Sequence, residues 1–102
     1  MDDASTPLHL PAQAAALPRS WSSEVLARIA GANVRVLRMD AAGFAEEVHD
    51  HDEIVHVVEG RFRLGLGAQV LDLDAGDFFV IRAGVRHHGA EGSHGTLLLL
   101  DC

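Results

Sequence analysis

Cysteine, aromatic residues and cationic side chains are all scarce in this chain of 102 residues. The single cysteine, Cys102, has no partner in its own chain, which excludes an intramolecular disulfide and fits a reducing compartment. Basic residues number 8 against 15 acidic ones, a formal net charge of −7, so a phosphate backbone is repelled unless the cations cluster. No nucleic-acid partner is expected. With one tryptophan, four phenylalanines and no tyrosine, little aromatic surface is available to line a pocket. The apolar runs, Leu97 to Leu100 among them, are far shorter than the roughly 20 residues that cross a bilayer as a helix, and no membrane role follows. Met1 to Pro18 opens on Asp2 and Asp3 and is broken by Pro7, Pro11 and Pro18. It lacks the basic start and apolar core of a secretory signal, and a cytoplasmic location is expected.

What is present fits one domain with a real core. Residues 1–20 read as an N-terminal arm rich in Ala and Pro, in which Leu8 to Leu10 could add an extended piece to a sheet edge and exchange between copies. Residues 21–102 read as the folded domain. Around Ser22 to Ala30, Val25, Leu26 and Ile29 recur at helical spacing behind a serine able to cap, which predicts a short helix, with a turn or a strand as the alternatives. From Val34 onward the rhythm is that of strands: 34–39, 53–59, 61–66, 69–73, 77–82 and 96–100. Gly60, Gly67-Ala68, Asp74-Ala75-Gly76 and Ala83-Gly84 stand at the gaps. In the fourth of these gaps, as in the others, turn chemistry separates short β-type runs without intervening helices. The fold class is therefore all-β, a sandwich or barrel.

The seven histidines carry the chemistry. His49 and His51 are same-face neighbours if extended, roughly 6.6 Å apart at the backbone, a spacing from which two imidazoles converge on one ion. His87 from a distant strand and a carboxylate such as Glu53 would complete a set of three nitrogens and one oxygen. That set suits Zn, Mn, Fe, Ni or Cu without choosing among them. The segment His49-Asp50-His51-Asp52-Glu53 taken alone reads equally well as a solvated polar loop. His88 has the opposite strand parity to His87 and belongs on the surface or behind the site. His56 has the opposite parity to Glu53, which places it between packed surfaces or at a partner. His9 and His94 carry no local support.

The two segments Gly43 to Gly60 and Gly76 to Gly89 resemble the paired motifs of the cupin superfamily, G-x5-H-x-H-x3-4-E-x6-G and G-x5-P-x-G-x2-H-x3-N. Gly43, His49 and His51 match the opening of the first, and Glu53 and Gly60 its end. Gly76, Gly84 and His87 match the second. Trp21-Ser22 is similar to the segment that leads into small single-domain cupins of the mannose-6-phosphate-isomerase-like kind. The resemblance implies a double-stranded β-helix, the jelly-roll barrel, commonly dimeric, with a divalent transition metal in its mouth. It implies His49, His51, Glu53 and His87 as the metal ligands.

Here the sequence departs from the pattern, because only Asp52 separates His51 from Glu53. Counting from Gly43 selects His49 and His51; counting back from Gly60 selects His49 and Glu53, and puts Glu47 where the first histidine belongs. In one straight strand His49 and Glu53 would lie about 13 Å apart, so the chain must bend between them if both reach an ion. Arg82 stands in place of the proline of the second motif and Glu91 in place of its asparagine.

Two functions fit these residues, beside the blander reading of an empty structural barrel. One is a small-molecule binding or sensing module with a metal in its pocket, acting as a homodimer. The other is a metal-dependent enzyme of the dioxygenase or sugar/keto-acid isomerase type. Glu47 or His88 could move a proton in the second, but no spacing demands it. The ligand itself is not written in the sequence.

Overall fold

The computed structural model describes residues 6–102; Asp2 and Asp3, and with them the first five residues of the expected arm, lie outside the described residues. One short helix, α1 (Leu10–Ala15), precedes eight strands: β1 (Glu24–Ile29), β2 (Ala32–Met39), β3 (Phe44–Glu47), β4 (Glu53–Leu66), β5 (Gln69–Asp74), β6 (Phe78–Ile81), β7 (His87–Gly89) and β8 (His94–Asp101). All pairings are antiparallel, in the order β1-β2-β8-β4-β7-β3, with β5 and β6 also paired to β4. The sheet curls into a half-barrel of the jelly-roll kind.

The long strand β4 organises the curl. The two runs expected at 53–59 and 61–66 are one strand, bent at Gly60, whose φ of 82° is closed to most side chains. Its first half pairs with β6 and β8, and its second half with β5 and β7. The register shift against β8 between Val57 and Glu59 marks the corner, as bulges do where strands turn. Inside the curl, Leu37, Met39, Val55, Val57, Phe62, Leu64, Ile81, Leu97 and Leu99 form the core, alternating along their strands as a sheet with one concave face requires.

Two local expectations are corrected. Residues 24–29 are strand β1, hydrogen-bonded to β2 through a tight turn at Ala30-Gly31, because pairing with a neighbouring strand outweighs weak helical spacing in so short a stretch. The helix lies earlier, in the proline-rich start. His9 caps it, its Nδ1 accepting from the Ala12 N–H at 3.4 Å, and Pro11 sits in the first turn, where it loses no bond. Leu10 thus opens a helix rather than ending an extended segment. Arg38 holds α1 against β2, donating from Nη1 to the carbonyls of Ala14 (2.8 Å) and Leu17 (3.0 Å).

Candidate metal centre

The site forms where β3, β7 and the start of β4 meet at the open end of the curl. Glu47, the last residue of β3, lies directly across from His87 in β7. After Glu47 the chain leaves the strand through Val48 to Asp52 and re-enters the sheet at Glu53. This is the bend that the spacing of His49 and Glu53 requires. It ties down through Gly84, whose N–H donates to the His49 carbonyl at 2.8 Å, and through Asp52, which accepts from the Ala83 N–H (2.9 Å) and from Arg82 Nη1 (3.1 Å). Those bonds hold the histidine-bearing loop against the turn that leads to His87.

Glu47, His49 and His87 each point a donor atom to one place, all within 4.8 Å of one another. His49 Nε2 lies 3.2 Å from Glu47 Oε1, and His87 Nε2 lies 3.5 Å from the same oxygen and 3.9 Å from Glu53 Oε1. His87 is 1% exposed. Its Nδ1 sits 3.0 Å from the Val85 carbonyl, an acceptor, so Nδ1 carries a hydrogen, and in the neutral ring Nε2 keeps its lone pair. That Nε2 is buried and has no hydrogen-bond partner among the described residues. A buried acceptor left bare costs about 1–3 kcal/mol, and a cation is the partner that a lone pair beside carboxylates calls for. The residues therefore fit a metal ion.

Glu53 closes the inner side of the site. Burial pushes its carboxyl above the ordinary carboxylate value, against the opposing pull of the His49 and His87 imidazoles. The expected ligands thus separate. His49 and His87 come together with Glu47, Glu53 lies beside them at 3.9 Å from His87 Nε2 without joining the three-residue cluster, and His51 stays outside it. Its ring stacks on His49 with centroids 5.2 Å apart, and its Nδ1 turns to Asp50 at 3.1 Å. The cluster holds His49, which both counts select, and Glu47, which the count back from Gly60 puts in the place of the first histidine.

Below these donors lies a cavity of about 370 Å³. Its walls include Trp21 and Phe44, whose role in the site the sequence did not reveal, although Trp21 could be picked out as part of the segment leading into the barrel. Trp21 leans on Phe44 and Phe62, with ring centroids at 4.9 and 6.0 Å. His88 lies on the other face of β7 with its ring over Gly65, where any Cβ would collide with it. His56 is half-buried on the convex side, between Leu98 and Phe78.

With this geometry in hand, comparison with known proteins is informative. A family model described as the cupin domain matches residues 35–101. The chain is similar to a cupin-2 domain containing protein from Shewanella frigidimarina, at 22% identity and a TM-score of 0.81, with 91% of each chain covered. It is similar to a protein from Neisseria meningitidis at 18% identity and a TM-score of 0.78, covering 94% of this chain and 98% of that one. A cupin superfamily protein from Desulfitobacterium hafniense matches at 20% identity and a TM-score of 0.73, over 94% and 89% of the two chains. No curated protein matches the sequence. At these identities the solved structures speak to the fold.

Proposed function

Since this chain belongs to the cupin family, as the match over residues 35–101 shows, we propose that it is a small-molecule binding or sensing module that holds a divalent transition metal in its pocket. Glu47, His49 and His87 would hold the ion, with Glu53 as the fourth donor. The observation that carries this reading is the buried, unpartnered Nε2 of His87, aimed at two carboxylates. Two imidazoles and two carboxylates suit zinc, iron and manganese better than a purely nitrogen set would. When bound, such an ion supplies a Lewis-acid centre with open positions for one polar group of a ligand. The protein's own contribution is to fix the tautomer of His87 through Val85, to hold the His49 loop through Asp52, and to surround the ligand with an apolar wall.

Metal analysis of protein purified without a histidine tag tests this. Stoichiometric zinc, iron or manganese is the expected result. Protein that is metal-free as purified and shows no binding heat with any of the three ions ends the reading.

One observation favours a second reading, metal-dependent catalysis: a carboxyl lining the cavity, that of Glu53, is biased by burial toward keeping its proton. In that case three residues hold the ion and Glu53 moves a proton. Glu53→Gln would then retain metal and lose turnover. We also propose a cytoplasmic homodimer. Among the described residues no helix is long and apolar enough to cross a membrane.

A further inference from the structure

The cavity lining divides by chemistry. Glu46, Glu47, Glu53 and His87 occupy one corner, and the remaining walls are apolar, chiefly Trp21, Phe44, Val55, Phe62, Leu97 and Leu99. Among the described residues that line it there is no arginine, no hydroxyl and no amide side chain, and the chain contains no lysine. Two arginines beside the donor-bearing segments are already engaged: Arg86 with Glu46 at 3.7 Å and Arg82 with Asp52 at 3.1 Å, both largely exposed.

We infer, building on the reading that the acidic corner holds a metal, that the cavity takes an uncharged, largely apolar small molecule with one polar group turned to that corner, and disfavours phosphorylated sugars and other anions. The charge balance leads there. Two positive charges on the ion are matched by Glu47 and Glu53, and Glu46 is matched by Arg86, so nothing remains to neutralise a phosphate. Without the ion the corner is more negative still. A polyol fares no better, because each hydroxyl that leaves water for a wall of indole, phenyl and aliphatic carbon loses hydrogen bonds that the wall cannot replace. At about 370 Å³ the space is near the lower end of small-molecule sites, which run from roughly 300 to 1,000 Å³. It has room for a bicyclic ring system.

The apolar wall is held in place deliberately. Trp21 has φ of 64°, a conformation unusual for a bulky residue. Two bonds enforce it: the Trp21 N–H donates to the Arg38 carbonyl at 2.7 Å, and the indole Nε1–H donates to Asp40 Oδ1 at 3.0 Å. Strain of this kind persists where the surroundings over-determine a side chain's position, and here that position is over the cavity.

Trp21 is the only tryptophan, so its indole N–H gives a single, assigned resonance in a nitrogen-15 spectrum. Three probes, 2-naphthol, 2-naphthyl phosphate and glucose 6-phosphate, are titrated into protein of measured metal content. The expected result is saturable movement of the indole resonance with 2-naphthol, with the two phosphates binding at least about tenfold more weakly. Equal or tighter binding of either phosphate overturns the inference. Ala45→Phe, at the exposed lip of the cavity, is expected to weaken 2-naphthol binding with metal loading unchanged. Undiminished naphthol affinity in that variant places the probe elsewhere and also overturns it. Protein that takes up no metal ends the metal reading alone, since the ranking of the three probes is then read on the metal-free cavity.

Discussion

His87 is the residue on which the site's chemistry is most tightly fixed, because one ring nitrogen is committed to the Val85 carbonyl and the other faces the carboxylates of Glu47 and Glu53 with the His49 ring beside them. His49 supplies the second imidazole from the surface side. Removing either, as His49→Ala or His87→Ala, is expected to lower metal affinity by more than the roughly 10–100-fold typical of outer residues around a metal. His51→Ala is expected to change it only a few-fold. Titration calorimetry of the three variants with zinc checks this ordering, and a loss at His51 equal to that at His87 would restore the count from Gly43. The sequence made His87 legible because the interval from Gly76 through Gly84 is intact in this chain. It left Glu47 and His51 as rivals, since which of two neighbouring residues faces the pocket depends on where the strand ends. That ending is set by the pairing of Glu47 with His87, a contact between segments forty residues apart that no local pattern encodes. Trp21 and Phe44 were equally hidden as pocket walls: aromatic character is visible in a sequence, but the left-handed backbone that swings an indole over a cavity is not.

At the level of elements, the short strand β3 and the loop after it are what bring distant donors together. Gly43 opens β3 with φ of 73°, and a Cβ there would collide with the Gly89 carbonyl oxygen on β7. Gly43→Ala is expected to cost about 1–3 kcal/mol and to weaken metal binding as well, because β3 can relieve the clash only by moving away from His87. Urea unfolding and calorimetry on the same preparation check both effects. The loop after β3 carries its own signature in pH. The Asp52 carboxyl accepts from the Ala83 N–H and from Arg82, and these bonds hold it below the ordinary carboxylate value. A carboxyl depressed in this way adds stability that is fully present above its unfolded value near about 4 and is lost as pH falls through the lower folded value. Asp52→Asn removes that ionisation, so its unfolding midpoint should fall less steeply than the wild type's from about pH 5 to pH 3; parallel slopes would mean that Asp52 is not coupled to folding. Strands β2, β4, β5, β6 and β8 were legible from turn residues and β-type runs, within a few residues at their ends. Strand β7 was legible only as the strand that re-enters at His87, whereas β1 and β3 were not, since their sequences are too short or too polar to announce themselves and are extended only because a partner strand lies beside them. Helix α1 was concealed by the prolines around it, one of which occupies a first-turn position where proline favours a helix.

For the whole molecule, the unusual property is that part of the convex face of the sheet is apolar as well as the concave one, although Arg61 and Arg63 keep the second half of β4 polar on that side. An antiparallel sheet with one wet face alternates apolar and polar residues, yet Ile54 to Val58, Phe78 to Ile81 and Leu97 to Leu100 are nearly continuous apolar runs. Val55, Val57, Ile81, Leu97 and Leu99 face the core. Their neighbours fall into register on the convex side: Val34 opposite Leu100, Leu100 opposite Ile54, and Ile54 opposite Val80, with His56 between Leu98 and Phe78 in the adjacent row. Helix α1 lies toward the β2 end of this face, anchored by Arg38, while at the other end Phe78 is 62% exposed. A row of half-covered aliphatic side chains ending in an exposed phenyl ring suits a two-fold contact between copies of the chain, in which each patch meets itself. Sedimentation at tens of micromolar is expected to give the mass of two chains. Phe78→Glu, which puts a charge at the rim of that patch without touching the metal donors, is expected to give the mass of one chain with metal loading unchanged. Wild-type protein that sediments as a single chain across this range ends the dimer proposal, whereas loss of metal together with the dimer would mean that the two faces of the sheet are coupled through β4, whose residues contribute to both.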